Sequence, residues 1–308
     1  MAKVSIIGAG NVGATAAQRL VEKNLCDVVL LDIVEGLPQG KALDMAHSAH
    51  VLGLTNRIIG TNDYTDTAGS DIVIITSGAA RKPGMTRDQL VEINAGIVGD
   101  VVKKAVAVSD SAILLVVTNP VDVMTYLAIK KSGFTPKRVI GLSGILDSSR
   151  LAYLIASELN VPVTDVTAYV WGEHGQQMVV IPRLNTVRGV SITKMLPDDV
   201  ISALVKRTIG SGAEVVNLLK TSSAYYAPSA AVVRMAEAVL TDSQEVLPCA
   251  VYLDGEYGLN DVVCGVPAKL GKGGLEGIVE LELTPDENKQ LADSAGSIKR
   301  MIVDAGMA

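Results

Sequence analysis

The sequence KVSIIGAGNVG, residues 3–13, joins a short apolar run to a GxGxxG motif. The apolar run predicts a β-strand, and the pattern of Val12–Asn24 predicts the helix that follows it. Between a strand and a helix, GxGxxG is typical of a turn that binds the diphosphate of a dinucleotide. Gly8 allows the tight turn, Gly10 allows the diphosphate to approach, and Gly13 allows the helix to pack on the strand. The alternative is a glycine-rich turn in a sheet that binds no nucleotide.

Asp32 and the start of the first helix complete the predicted dinucleotide site. Asp32 follows the predicted strand Val28–Leu31, 19 residues after Gly13. A carboxylate there can accept hydrogen bonds from both hydroxyls of the adenosine ribose, and it would repel the additional phosphate of NADP. No arginine follows it to bind that phosphate, so we predict NAD as the cofactor. The free N–H groups at the helix N-terminus, at Asn11 and Val12, are expected to bind the diphosphate.

Short apolar runs alternate with helical patterns through the first half of the chain. The predicted strands are Lys3–Ile7, Val28–Leu31, Ile58–Gly60, Ile72–Ile75, Ala112–Val117 and Arg138–Gly141. The predicted helices are Val12–Asn24, Gly36–Ala49, Arg87–Val108 and Val121–Lys131. Apolar runs without polar alternation are typical of strands that are covered on both faces. The order therefore predicts an α/β fold with a Rossmann-type, doubly wound parallel sheet.

The pattern changes near residue 144 to that of an α+β domain. The predicted helices are Ile145–Leu159, Asp198–Leu219, Ser229–Leu240 and one that begins after a capping box at Thr284. The predicted strands are Val166–Val170, Met178–Pro182, Ala250–Leu253 and Val262–Lys269. We therefore predict an NAD-binding Rossmann domain at residues 1–143 and a substrate-binding and catalytic domain at residues 144–308. No linker-like stretch separates them, so they are expected to pack closely.

The composition predicts a globular protein that binds neither nucleic acid nor membrane. Hydrophobic residues make up 48% of the chain and charged residues 19%, which favours a large buried core. The net charge is -6 and no cluster of basic residues occurs, which argues against a nucleic-acid partner. No apolar run is long enough to span a bilayer, and no signal or transit peptide is apparent, so a cytoplasmic location is expected. Cys26, Cys249 and Cys264 form no CxxC pair, which argues against a disulfide framework and a zinc site.

Three further segments contain charged and polar side chains that the fold prediction does not explain. They are GAARKPGMTR at residues 78–87, DSSR at residues 147–150 and GEHG at residues 172–175. With GAGNVG at residues 8–13 and TNPVD at residues 118–122, and in this order, they closely resemble the lactate/malate dehydrogenase family. The resemblance covers essentially the whole chain and is strongest to the malate dehydrogenases built on the lactate dehydrogenase plan. It implies an NAD-dependent oxidoreductase of the tricarboxylic acid cycle that interconverts malate and oxaloacetate.

The resemblance assigns the catalytic chemistry to His174, Asp147 and Arg87. His174 would be the general acid/base, since an imidazole titrates near working pH. Asp147 would bind the other ring nitrogen of His174 and favour the imidazolium. Arg87 would polarise the substrate carbonyl and stabilise the charge that develops on its oxygen.

The remaining site residues follow from the same resemblance. Arg150 would bind the C1 carboxylate of the substrate through a bidentate guanidinium, and Arg81 would bind the second carboxylate of a dicarboxylic acid. Asn119 would donate hydrogen bonds near the nicotinamide and the substrate oxygen. Asn94 and Val117 are expected in the cofactor site beside it. The resemblance also implies a homodimer or homotetramer, with the helix after the second strand in the interface.

The sequence leaves alternative functions open. A lactate dehydrogenase, or another 2-hydroxy acid dehydrogenase, would share most of these motifs but typically carries a neutral residue such as Gln in place of Arg81. A non-catalytic NAD-sensing protein would have no need for the complete set of His, Asp and Arg residues. Glycines at both ends of segment 78–86, with Pro83 inside it, predict a lid that delivers Arg81 and Arg87 when it closes.

Overall fold

A computed structural model of the chain describes residues 1–79 and 87–307, apart from the side chains of residues 87 and 88. The helices of the described residues are α1 Asn11–Lys23, α2 Leu37–Leu52, α3 Arg87–Val108, α4 Val121–Ser132, α5 Gly144–Leu159, α6 Asp198–Leu219, α7 Tyr226–Leu240 and α8 Pro285–Asp304. The strands are β1 Ala2–Ile7, β2 Cys26–Leu31, β3 Ile58–Thr61, β4 Ile72–Ile75, β5 Ile113–Val116, β6 Val139–Gly141, β7 Val166–Thr167, β8 Val170–Gly172, β9 Met178–Val180, β10 Thr186–Val187, β11 Val190–Ser191, β12 Glu245–Asp254, β13 Asn260–Gly271 and β14 Gly274–Ile278.

The first six strands form a parallel sheet in the order β3-β2-β1-β4-β5-β6. This is the predicted doubly wound order, so the prediction of the fold class is confirmed. All six strands are parallel, but the order in which they are added to the sheet reverses between β1 and β4. Ligands of such sheets bind in the crevice at the carboxyl ends of these two strands. The glycine-rich turn follows β1, which places it at this crevice.

The sheet is buried between helices because its strands are apolar on both faces. All four residues of β4 and all four of β5 are buried. On one side, α1 covers the sheet with a stripe that includes Ala16, Leu20 and Val21. Residues with this spacing share one face of a helix. Burial of a side chain such as Leu20 contributes about 1.5–3 kcal/mol, so this face fixes α1 on the sheet.

The main sheet continues into the second half of the chain. β6 pairs with β12 in antiparallel orientation at Gly141 and Ala250, and the order continues as β12-β13-β8-β9. Helix α7 comes from the second half but packs against α1 of the first half. One hydrophobic cluster contains residues of both halves. The two halves therefore share a sheet and a core, and the domain boundary between residues 143 and 144 stays a prediction.

Two predicted strands of the second half differ from the structure. The predicted strand Val166–Val170 is wrong, because β7 pairs with β10 in a small separate sheet and β8 lies in the main sheet. Between them, the side chain of Asn185 accepts a hydrogen bond of 2.7 Å from the N–H of Tyr169. The predicted strand Ala250–Leu253 lies in the carboxyl-terminal half of β12, which begins earlier, at Glu245, and includes Pro248. Strands β10, β11 and β14 were not predicted.

Helix α8 begins as predicted. Thr284 Oγ1 accepts from Glu287 N, and Glu287 Oε2 accepts from Thr284 N, which is a complete capping box. The apolar stripe of α8 is buried, as its spacing predicts; it consists of Leu291, Ala295, Ile298 and Ile302. All three cysteines of the chain are buried and unpaired. Within residues 1–79 and 87–307, no helix has both the length and the hydropathy needed to cross a bilayer.

Candidate active site

The glycine-rich turn has the geometry of a dinucleotide site. Gly8 has a φ of +113°, and a Cβ there would lie 2.6 Å from Thr76 Oγ1. A Cβ at Gly13 would overlap the carbonyl oxygen of Gly8, so the helix could not pack as it does. By contrast, a Cβ at Gly10 would have no atom within 4 Å, which leaves an open cradle in front of α1. No side chain caps the N-terminus of α1, so its first N–H groups can bind a diphosphate.

Asp32 lies beside this turn at the end of β2. Its Oδ2 accepts a 2.6 Å hydrogen bond from Ala9 N, and its Oδ1 accepts a 3.0 Å hydrogen bond from Val34 N. A carboxylate has about four lone-pair sites, so each oxygen can still accept from a ribose hydroxyl. The turn, the helix N-terminus and this carboxylate therefore fit the diphosphate and the adenosine ribose of NAD.

Asn94 lies behind the crevice and connects two loops at its edge. Its Oδ1 accepts from Ala79 N at 2.7 Å, and its Nδ2 donates to Asn119 O at 2.7 Å and to Ala79 O at 3.3 Å. The buried amide of Asn94 is thus used by the backbone, and a contact between Asn94 and the cofactor stays a prediction. Val117 is half-buried and Asn119 is exposed, directly after β5 at the crevice.

The carboxylate of Asp147 on α5 binds two side chains, His174 from the turn after β8 and Arg150 from the same helix. Asp147 Oδ2 lies 2.6 Å from His174 Nδ1, and Asp147 Oδ1 accepts a 2.9 Å hydrogen bond from Arg150. The side chain of Asp147 is only 1% exposed, whereas those of Arg150 and His174 are 16% and 15% exposed. Because Asp147 and Arg150 are three residues apart, they lie on the same helix face. Asp147 thus occupies Nδ1 of His174 and leaves Nε2 as the ring nitrogen for a substrate, while the same carboxylate holds a partly exposed guanidinium.

The buried carboxylate controls the charge of His174. Burial alone would lower the pKa of His174, but the charge and hydrogen bond of Asp147 outweigh burial and raise it above its ordinary value. Burial alone would also raise the pKa of Asp147, but His174 and Arg150 together lower it. Both shifts favour an Asp147 carboxylate that holds a His174 imidazolium, which is a proton donor for a carbonyl oxygen.

Asp122 holds the backbone of the turn that carries His174, a contact that we did not predict. Its Oδ2 accepts a 2.9 Å hydrogen bond from His174 N, and burial raises the pKa of Asp122 to about 7. It belongs to the TNPVD motif, three residues after Asn119, so it links His174 to the loop after β5. The motif was visible in the sequence, but its contact with residue 174 depends on long-range packing.

Ser294 of α8 supports the same turn from the other side. Its Oγ accepts a 2.8 Å hydrogen bond from Glu173 N and donates one of 2.6 Å to Gln177 O. The hydroxyl therefore joins both ends of the turn that carries His174. No sequence signal predicted this contact, because Ser294 is 120 residues away from His174 and lies inside a regular helix.

The side chains of the two remaining predicted substrate residues, Arg81 and Arg87, are not among those that the structure describes. Arg81 and the rest of the predicted lid from residue 80 to residue 86 lie outside the described residues. Arg87 begins α3, but its side chain also lies outside the description. On the far side of Arg150, a Cβ at Gly212 of α6 would lie 3.8 Å from its guanidinium, so a glycine there leaves space beside the charge.

Two family models together cover nearly the whole chain. Residues 2–141 match the NAD-binding domain of lactate/malate dehydrogenase, and residues 145–306 match its C-terminal alpha/beta domain. The chain therefore belongs to the lactate/malate dehydrogenase family and is an NAD-dependent enzyme.

Named relatives come from both branches of this family. The chain is 56% identical to a malate dehydrogenase of Dehalococcoides mccartyi over 302 residues, 98% of each chain. It is 46% identical to the solved malate dehydrogenase of Salinibacter ruber, with a TM-score of 0.95 over 99% of this chain and 97% of that one. A lactate dehydrogenase of Cryptosporidium parvum, solved with lactic acid and NAD, is 40% identical with a TM-score of 0.96 over 100% and 98%. Overall shape therefore does not separate the two substrates.

Proposed function

We propose that this chain catalyses the reversible, NAD-dependent oxidation of (S)-malate to oxaloacetate. The observation that carries the proposal is the shared carboxylate of Asp147, which joins a proton donor, His174, to an anion-binding side chain, Arg150. A 2-hydroxy acid needs these two groups next to each other, because its hydroxyl and its carboxylate are on adjacent carbons. The similarity to malate dehydrogenases at up to 56% identity supports malate as the acid.

Arg150 and His174 orient the substrate and move its proton. The guanidinium of Arg150 binds the C1 carboxylate, which places the C2 hydroxyl of malate at His174 Nε2. The imidazole removes the hydroxyl proton, and Asp147 stabilises the imidazolium that forms. The hydride that leaves C2 of malate would pass to NAD⁺ when this cofactor is bound, and NADH would supply it in the reverse direction. In the reverse direction the imidazolium returns the proton to the carbonyl oxygen of oxaloacetate.

Arg81, Arg87 and Asn119 have proposed roles around the same carbon. Arg87 polarises the C2 carbonyl and stabilises negative charge on its oxygen. Asn119, at the carboxyl end of β5, donates a hydrogen bond near the nicotinamide and the substrate oxygen. Arg81 pairs with the C4 carboxylate, the group that distinguishes oxaloacetate from pyruvate. Closure of segment 78–86 would bring both arginines to the substrate and exclude water.

We also propose a cytoplasmic enzyme of the tricarboxylic acid cycle that acts as a homodimer or homotetramer. The three unpaired cysteines support a reducing compartment. Exposed apolar side chains on α2, among them Leu43 and Val51, support an interface between copies of the chain. Sedimentation equilibrium would measure the mass of the assembly, and a monomer at micromolar concentration would contradict this part of the proposal.

The proposed reaction is tested by following the absorbance of NADH in the near ultraviolet. NADH should be consumed with oxaloacetate, far more slowly with pyruvate, and not without a keto acid. NADPH should react at least about tenfold more slowly, because Asp32 would face its additional phosphate. His174→Asn should bind NADH normally but lose several orders of magnitude in rate. Faster reduction of pyruvate would identify a lactate dehydrogenase, and no turnover with any keto acid would support a non-catalytic NAD-binding protein.

A further inference from the structure

Lys41 reaches the glycine-rich turn from helix α2. Its Nζ donates a 2.7 Å hydrogen bond to the carbonyl oxygen of Ala9, between Gly8 and Gly10. Lys41 lies in the second turn of α2 and is half-buried. No motif of the sequence contains it, so its position at the turn follows only from how α2 packs.

The backbone of Ala9 is bound by two side chains of opposite charge, Asp32 and Lys41. Asp32 accepts from its N–H at 2.6 Å, and Lys41 donates to its carbonyl. A lysine ammonium has three donors, and the bond to Ala9 uses one of them. The ammonium is therefore bound to the residue directly before Gly10, and it has further donors that another acceptor can use.

An ammonium at this place matches the charge of the dinucleotide. The diphosphate carries two negative charges, and the N-terminus of α1 offers only partial positive charge from its N–H groups. A lysine binds phosphate as a compact point charge and does not need the planar geometry that an arginine prefers. Its half-burial keeps the charge less screened by salt than on an open surface.

We propose that Lys41 is a cofactor-binding residue whose ammonium group pairs with the diphosphate of NAD. Lys41 would thus complete the cradle that Gly10 and the start of α1 form. The inference rests on the dinucleotide site of the proposed function but is independent of which hydroxy acid the enzyme oxidises. The competing role is purely structural, in which Lys41 holds Ala9 and touches no phosphate.

Three variants separate the effect of the Lys41 charge from that of its hydrogen bond to Ala9 and from that of the net charge of the protein. Lys41→Gln can still donate to the Ala9 carbonyl but has no charge, and Lys41→Arg keeps the charge. Lys299→Gln removes the same charge from an exposed position on α8 and is the matched control. Thermal unfolding without ligand reports whether each variant folds as the wild type does.

Binding of ADP, NADH and adenosine should be measured by isothermal titration calorimetry. Lys41→Gln should weaken ADP and NADH about tenfold, as expected for one charged hydrogen bond, and leave adenosine unchanged. Lys41→Arg should retain most of the affinity, and Lys299→Gln all of it. The wild-type affinity for ADP should also fall more steeply with salt than that of Lys41→Gln.

Two results would overturn this role for Lys41. Equal weakening of ADP and adenosine would mean that Lys41 acts through the turn, and no weakening of either would mean that it does not reach the ligand. If the wild type bound neither ADP nor NADH, the dinucleotide site itself would be wrong. Normal ADP binding without oxaloacetate reduction would instead contradict only the proposed reaction.

Discussion

Asp147 is the residue on which the proposed chemistry depends most. One oxygen binds the ring of His174 and the other binds Arg150, and the carboxylate is buried. A buried carboxylate without partners would be protonated, whereas two cationic partners keep it charged. The contact with Asp147 also raises the pKa of His174, so a single side chain holds both the proposed proton donor and the proposed anion-binding group.

The activity should depend on pH through His174. Reduction of oxaloacetate needs the imidazolium, so its kcat/KM should stay level below the raised pKa of His174 and fall above it. Oxidation of malate needs the neutral ring, so its kcat/KM should rise over the same range. Because Asp147 is the main cause that raises this pKa, Asp147→Asn should move both profiles to lower pH and reduce the rate. Profiles that do not move in Asp147→Asn would show that another pair controls the reaction.

The glycines of the turn should differ in what their substitution disrupts. Gly10→Ala should fold normally, because its backbone is compatible with alanine and a Cβ there meets no atom. The methyl group should nevertheless weaken NADH binding, since it would occupy the cradle. Gly13→Ala should both weaken NADH binding and lower the stability of the fold, because its Cβ would overlap the Gly8 carbonyl. Thermal unfolding and NADH fluorescence titration would separate the two effects, and equal loss of stability in both variants would contradict the turn geometry.

Helix α8 acts as a support for the turn that carries His174. Ser294 binds both ends of this turn, whereas Thr284 only caps the helix. Ser294→Ala should therefore lower kcat and broaden the pH profile while the affinity for NADH stays unchanged. Thr284→Ala on the same helix should cost about 1 kcal/mol of stability and leave kcat unchanged. Unfolding curves and steady-state rates for both variants would check this, and equal effects on kcat would show that α8 does not position the turn.

The elements of the first half could be predicted because each carries its own signal. Strand β4 is one continuous apolar run, and the GxGxxG turn requires glycines for local reasons. The short strands β7 and β8 carry no such signal, since their separation depends on Asn185 and on pairing partners far along the chain. The same holds for the site. His174 and Asp147 were predicted from motifs, whereas Ser294, Asp122 and Lys41 were missed because only tertiary packing brings them to the site.

The two halves of the molecule are joined through the sheet and through helix α7. Lys23 of α1 pairs with Glu237 of α7 at 3.0 Å, and Arg234 extends this ion-pair network to Glu245 of β12. The acid–base pair belongs to the second half, but Asp122 connects it to the loop after β5 in the first. The crevice for the cofactor and the site for the substrate are therefore held in one continuous structure.

The proposed choice between the two acids would be a property of the whole site with segment 78–86 closed. Oxaloacetate and pyruvate share the C1 carboxylate and the keto group, so Arg150 and His174, in their proposed roles, should not distinguish them. They differ in the second carboxylate, which Arg81 is proposed to bind. In a closed site an unpaired charge costs several kcal/mol. A difference of about 4 kcal/mol would give a preference of roughly a thousandfold for oxaloacetate.

The most direct test is the ratio of kcat/KM for oxaloacetate to kcat/KM for pyruvate, measured with NADH in the wild type and in Arg81→Gln. The wild-type ratio should be near a thousand, which corresponds to a difference of roughly 4 kcal/mol in transition-state stabilisation between the two acids. In Arg81→Gln most oxaloacetate activity should be lost and some pyruvate activity gained, so the ratio should fall by far more than tenfold. A wild-type preference for pyruvate, or a ratio that Arg81→Gln changes by less than about tenfold, or ~1.4 kcal/mol, would contradict malate selection by Arg81.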